Sequence, residues 1–549
     1  MKKRSFLAII IAMFAIWSCS NTGWQENELN VEPQPQTTSM IEGVKVPNPY
    51  SVEAMKAACE VLYPTTRSGE SVADEIIVAT HIYVRFLPAD KEQMDFLLET
   101  GWELFNYPLD VEFEEDPSEY HDPSLSDEQI TWQYTVLPID TTLPTDITYE
   151  ILEECYIPDD DETEVETTAG TIVDIAAIEG VSVNYAETGV MDPSASTMAL
   201  TRRTYTGTIT VDGYPVEGIK VRIVGRLLSK TATTHADGTY SVTGRLGTSP
   251  KTEICFVNSA NHISYGYNLA LIMPTKVNIG TARSINFTET NNLKGWILSH
   301  MNRATCMYYD RCAELGLTQP PFGMRMWAIK YFEGASCPMF AHRTSYYINS
   351  LQRYVTGCFD NRTIANATER LLKNLLYKFG PDICLCDVES EPCASDIYEY
   401  VFHELSHATH FSYMYNNAQW WANVIDYELD CILASDFEDP YGTLNTPNNG
   451  HSGVAEMWAH AVGNIFLKEL FEQIDIRATS TPYPPREDGS YWFKPEIIWG
   501  LYLNGVPLST LLGGLKKEAT SIQMYKQLLL SCYPQYTYYI NQTFSQYGF

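Results

Sequence analysis

The sequence predicts a multidomain chain in which a small α+β domain, an all-β sandwich and a larger α+β domain follow one another. Three observations lead there. The 549 residues are enough for about three domains, each with its own core. Short β-branched runs separated by Asp-Gly turns cluster between residues 203 and 290. Beyond Asn291 the apolar spacing lengthens to the helical period, and Cys and aromatic residues become dense. The predicted divisions are 1–18, an export signal; 19–74, a tether and short helix; 75–157, the small α+β domain; 158–202, an acidic linker; 203–290, the β-sandwich; and 291–549, the helix-rich domain.

Each segment has its own local reason. Lys2, Lys3 and Arg4 precede an apolar run over 6–17, the order of an export signal and too short for a membrane span. Residues 20–49 carry Asn, Gln, Glu, Pro and Thr with few large apolar side chains, which predicts a flexible tether. A short helix is expected at 52–62. Residues 76–86 alternate as a strand, 90–100 read as a helix closed by Gly101, 102–107 and 131–137 as strands, and 147–156 as a helix. Asp159, Asp160, Asp161 and Glu162 open the acidic connection, with helical character over 170–186. In the sandwich, 205–211 and 218–223 read as strands around the Asp212-Gly213 turn, and Asp237-Gly238 sets up a hairpin into Tyr240 and Val242. Further on, helices are expected at 293–315, 368–378, 395–414, 496–502 and 520–530, and strands at 324–331 and 382–388.

A formal charge of −33 makes nucleic acid and anionic lipid poor partners for this surface. Of the 13 Cys, nine lie between Cys306 and Cys532, and Cys384, Cys386 and Cys393 have no fourth ligand at finger-like spacing, so disulfides or buried thiols suit them better than metal.

The chemistry concentrates at Phe402-His403-Glu404-Leu405-Ser406-His407-Ala408-Thr409-His410. Positions four apart on a helix differ by about 40° around the axis and about 6 Å along it, so His403 and His407 project from one face and can share a zinc ion. Glu404 beside them can take a proton from water and pass it to a leaving group. A third ligand is sought downstream, and Glu456, near the start of an apolar helical run extending past Phe466, is the best candidate. Asp426, Glu428 and Asp430 form another acidic cluster that can ligate, accept from a ligand's ring N–H, or simply face solvent. His410 falls near the face of His403 but two turns away, which suits packing or the support of a ligand better than ligation.

These residues resemble the gluzincin metallopeptidases, the thermolysin-like group. The resemblance implies a zincin-like catalytic domain, Zn2+ held by His403, His407 and Glu456, Glu404 as general base, and a protein or peptide substrate. An oxyanion-stabilising Tyr or His is then required, for which His451, His460 and Tyr491 are candidates. The group carries an Asp four residues after the ligand Glu, where this chain has His460, and the interval from His407 to Glu456 is longer than in thermolysin. The metzincin pattern requires Gly where His410 stands.

Two other resemblances set the context. Ser18-Cys19 after the apolar run is similar to the lipobox of bacterial lipoproteins, which implies a lipidated Cys19 as the membrane anchor and an extracytoplasmic location at the outer membrane or cell surface. Thr234 to Tyr240 resembles the turn signature of carboxypeptidase regulatory-like domains over 203–290, implying a supporting role. The expected function is therefore a lipid-anchored zinc metallopeptidase. Its rivals are a surface adhesion or glycan-binding lipoprotein with a vestigial metal site, which the 36 Tyr would suit, and a zinc hydrolase of non-peptide amides.

Overall fold

The computed structural model describes residues 43–64, 71–113, 117, 120–126, 129–159, 164–198, 202–247, 249–266, 274–329, 334–339, 342, 381–386, 393–414, 418–435, 439–474 and 491–549. The export signal with Cys19 and the helix expected at 368–378 lie outside them. The fold is mixed α+β with several sheets, and the chain divides into two compact units. Among the described residues no helix is long and apolar enough to cross a membrane.

One unit comprises residues Glu28–Cys255 and Thr275–Asn286. Its first sheet has three antiparallel strands in the order Gln133–Pro138, His81–Leu87, Thr148–Cys155. Three expectations fail here. Residues 147–156, expected as a helix from their Glu and Leu content, form an edge strand because pairing with His81–Leu87 outweighs local preference. Residues 76–80 precede the strand: Ser71 Oγ accepts from Asp74 N and caps a single-turn helix, Val72–Ile76, whose Val72 and Ala73 pack with Ile77 in a core. Residues 102–107 contribute one bridge, Phe105 to Tyr134, in place of a strand.

The same unit holds two four-stranded sheets. One is ordered Ser229–Thr233, Lys220–Val224, Lys251–Cys255, Lys276–Asn278; the other contains Thr239–Gly244, Arg203–Val211 and Ile285–Phe287, with Tyr214–Pro215 paired to the long strand. The hairpin at Asp212-Gly213 turns tightly because both residues take positive φ, 49° and 87°, the geometry for which Asp-Gly is suited.

The other unit contains residues 256–274 and everything from Phe287 onward. The 203–290 segment is thus shared between units, because Asn261–Gly266 (β1) pairs in parallel with Met324–Ile329 (β2), on the far side of helix Leu293–Leu315 (α1). Gly334–Ser336 (β3) and Ile383–Cys386 (β4) complete a sheet of order β1-β2-β4-β3, in which β4 is parallel to β2 and only β3 is antiparallel. The helices that follow include Ala394–Tyr413 (α2), Ala418–Ala434 (α3), Gly450–Ile474 (α4), Glu496–Leu503 (α5) and Ile522–Cys532 (α6). Helix α1 runs over the expected residues because Asn292 Oδ1 accepts from Gly295 N at its start and Gly316, at φ 63°, closes it. At the head of α2 Cys393 is the cap residue, with Ser395 inside the first turn. Among the described residues, Cys312, Cys393, Cys431 and Cys532 are free thiols.

Candidate metal centre

Helix α2 is buried along most of its length, and its neighbours α1 and α4 fix where its polar residues point. Tyr308 on α1 donates to Ser406 Oγ at 3.1 Å and pairs with Thr409 Oγ1 at 3.0 Å. Trp458 on α4 donates its indole N–H to the Ser406 carbonyl at 3.0 Å. Gly463 sets the closest approach of the helices: a Cβ there would meet the Cα and N of His403 at 3.0 Å. A side chain at that position would push directly on the backbone that carries a candidate ligand. Neither Gly463 nor Trp458 was singled out by sequence pattern, although a glycine inside an apolar helical run is the signal by which such a crossing can be sought.

With α2 and α4 held this way, three expected ligands converge. His403 Nε2 and His407 Nε2 lie 3.2 Å apart. Glu456 brings Oε1 to 3.2 Å from His407 Nε2 and Oε2 to 3.6 Å from His403 Nε2. Donor atoms around a four-coordinate ion with bonds of about 2.0–2.2 Å are separated by about 3.3–3.6 Å, so the spacing and the N,N,O chemistry fit a metal ion. Among the described residues, two groups have metal-ligating geometry, His403 with Glu404 and His407, and His403 with Glu456 and His460; within each, the ligand atoms lie within 4.8 Å of one another. Glu404 is fully buried beside the two imidazoles of its own helix.

Electrostatics keep His403 and His460 able to ligate. Burial, reinforced by His460 and His407, holds His403 well below the ordinary histidine range. Burial likewise pushes His460 down to about 4, against the upward pull of Glu456. A neutral imidazole presents the lone pair that a metal needs.

The remaining candidates separate into those near the cluster and those away from it. Tyr491 has its ring 4.6 Å from that of His460, which also meets Phe493 at 5.4 Å and Tyr441 at 6.3 Å. His410 sits edge-on to Trp420 and Trp421 at 4.8 and 4.9 Å, with Nε2 3.1 Å from Met414 Sδ, outside both metal-ligating groups. Burial holds it well below the usual range, so it packs as a neutral ring. His451 is also outside them, with Nε2 3.3 Å from Asn423 Nδ2 and its ring edge-on to Trp420. Of the acidic cluster on α3, Glu428 accepts from Ser452 Oγ at 2.9 Å, Asp430 is exposed, and neither these nor Asp426 joins a metal-ligating group among the described residues.

No family model, curated protein or solved structure matches the chain.

Proposed function

We propose that the chain is a lipid-anchored, extracytoplasmic zinc metallopeptidase of gluzincin type, with His403, His407 and Glu456 as ligands and Glu404 as general base. One observation carries the reading: two imidazole nitrogens from α2 and a carboxylate from α4 meet at 3.2–3.6 Å with a second buried carboxylate alongside. Two buried carboxylates beside two buried imidazoles form a set that a divalent cation balances.

When bound, zinc would polarise a scissile carbonyl and lower the pKa of a water towards about 7. The protein residues supply the rest. Glu404 is held by its helix next to both histidines, where it can accept a proton from water and return it to the departing amine. Tyr491, whose ring lies 4.6 Å from that of His460, can donate to a developing oxyanion. Because β4 lies between β2 and β3, the edges of this sheet among the described residues are β1 and β3, and an extended peptide would pair at one of those. Cys19 would anchor the mature chain, and the preceding cationic and apolar residues support that assignment.

The test is zinc content together with digestion of a broad peptide library by the wild-type chain and by Glu404→Gln. The variant keeps side-chain size, so zinc is retained while cleavage falls by about 100- to 10,000-fold. Zinc bound by a wild-type chain that cleaves no peptide would favour an adhesion role or a non-peptide amide substrate instead.

A further inference from the structure

We propose that His460 is itself a metal ligand, the third imidazole of a set with His403, His407 and Glu456. The proposal rests on the metal-site reading above and extends it. Glu456 and His460 are four residues apart on α4, as His403 and His407 are on α2, so each helix turns a donor pair from one face towards the other. His460 Nε2 lies 3.6 Å from Glu456 Oε2, the same distance at which His403 Nε2 stands from that oxygen. This is too long for a hydrogen bond and close to the separation of two donors on one ion.

The ring geometry agrees. His403 and His460 have centroids 4.4 Å apart with planes at 69°, an edge-on arrangement in which both can direct a nitrogen to a common point. His460 Nε2 has no hydrogen-bond partner within the protein, and only 13 % of the side chain is exposed. Tyr491, Phe493 and Tyr441 surround the ring and fix its plane, so the nitrogen is aimed by packing. A buried, oriented and unbonded nitrogen is costly unless something accepts its lone pair or its proton.

The consequence concerns how open the site is. Three protein donors leave a position for water, whereas four give the closed coordination of a structural zinc. Catalysis by a zinc-bound water then requires His460 to give up the fourth position to that water.

The test is X-ray absorption at the zinc edge on the zinc-loaded full chain, counting imidazoles from their ring scattering. Wild type is expected to show three, and His460→Ala and His460→Phe two each. The Phe variant keeps a ring in the aromatic box, and free imidazole added to the Ala variant is expected to restore the third. Two imidazoles in wild type, or a count unchanged in both variants, would overturn the proposal while leaving the His403, His407 and Glu456 site standing. A full chain that takes up no zinc would overturn both.

Discussion

Each unit buries a cluster of ionisable groups, and the two clusters are built on opposite plans. In the first unit Arg222 and Glu253, 2 % and 1 % exposed, face each other. Arg222 Nε donates to Glu253 Oε2 at 2.9 Å and its NH1 to the Leu104 carbonyl at 2.9 Å, its guanidinium lies 3.7 Å over the Phe105 ring, and Tyr107 donates to the other Glu253 oxygen. Burial raises the Glu253 carboxyl, and Arg222, Lys276 and Tyr107 together more than offset it, holding the group below the usual range. In the second unit His403, His407, Glu456 and His460 stand 3.2–3.6 Å from their neighbours in the cluster, in two metal-ligating groups that share His403. Burial alone therefore does not mark function. A cluster whose charges satisfy one another is structural, and one whose donors are aimed at a common point is a site.

The largest effect that sharpens this contrast comes from the closed cluster. Arg222→Met leaves Glu253 buried without its partner and should cost about 3–5 kcal/mol in denaturant unfolding, while the double replacement Arg222→Met with Glu253→Met should recover much of that. Zinc content should not change in either, since all proposed ligands lie in the other unit. A large loss of zinc would break the division between structural and functional clusters.

Next in size is His410, which resembles a ligand in sequence and a core residue in structure. His410→Ala removes a ring packed against two tryptophans and should cost about 2–4 kcal/mol, while zinc affinity changes by less than about 10-fold. A stable variant with weakened zinc binding would move His410 from the core to the site.

Smaller still is the acid response of the metal-free chain. His403, His410 and His460 are depressed by burial, so the unfolded state binds protons that the folded state refuses between about pH 6.5 and, for His460, about 4. Stability is then full above pH 6.5 and is lost as pH falls through that window, by on the order of 2 kcal/mol per ring at pH 5. Denaturant midpoints of EDTA-treated protein at pH 7 and pH 5 measure it, and an unchanged midpoint would mean that these rings protonate without penalty.

The centre of the site was legible because it is local. His403, Glu404 and His407 need only one helix, and Glu456 announces itself as a carboxylate in an apolar helical run. His460 was visible as a neighbour of Glu456, yet its aim depends on α4 crossing α2 at Gly463, which no single segment encodes. The errors in the fold have the same origin. Residues 147–156 have helix-forming composition but are claimed by pairing with His81–Leu87, and β1 joins a sheet whose other strands lie beyond α1. Long-range pairing overrode local preference in both cases.

The central claim is that the converging donors of α2 and α4 hold zinc, and the most direct test is a zinc titration of the EDTA-stripped full chain and of Glu456→Ala, followed by calorimetry and thermal unfolding. The wild-type chain should bind zinc stoichiometrically and be stabilised by about 4 kcal/mol at a thousandfold excess over Kd, and Glu456→Ala should bind more than about 100-fold more weakly. Equal zinc binding by both proteins, or none by the wild type, would contradict the account.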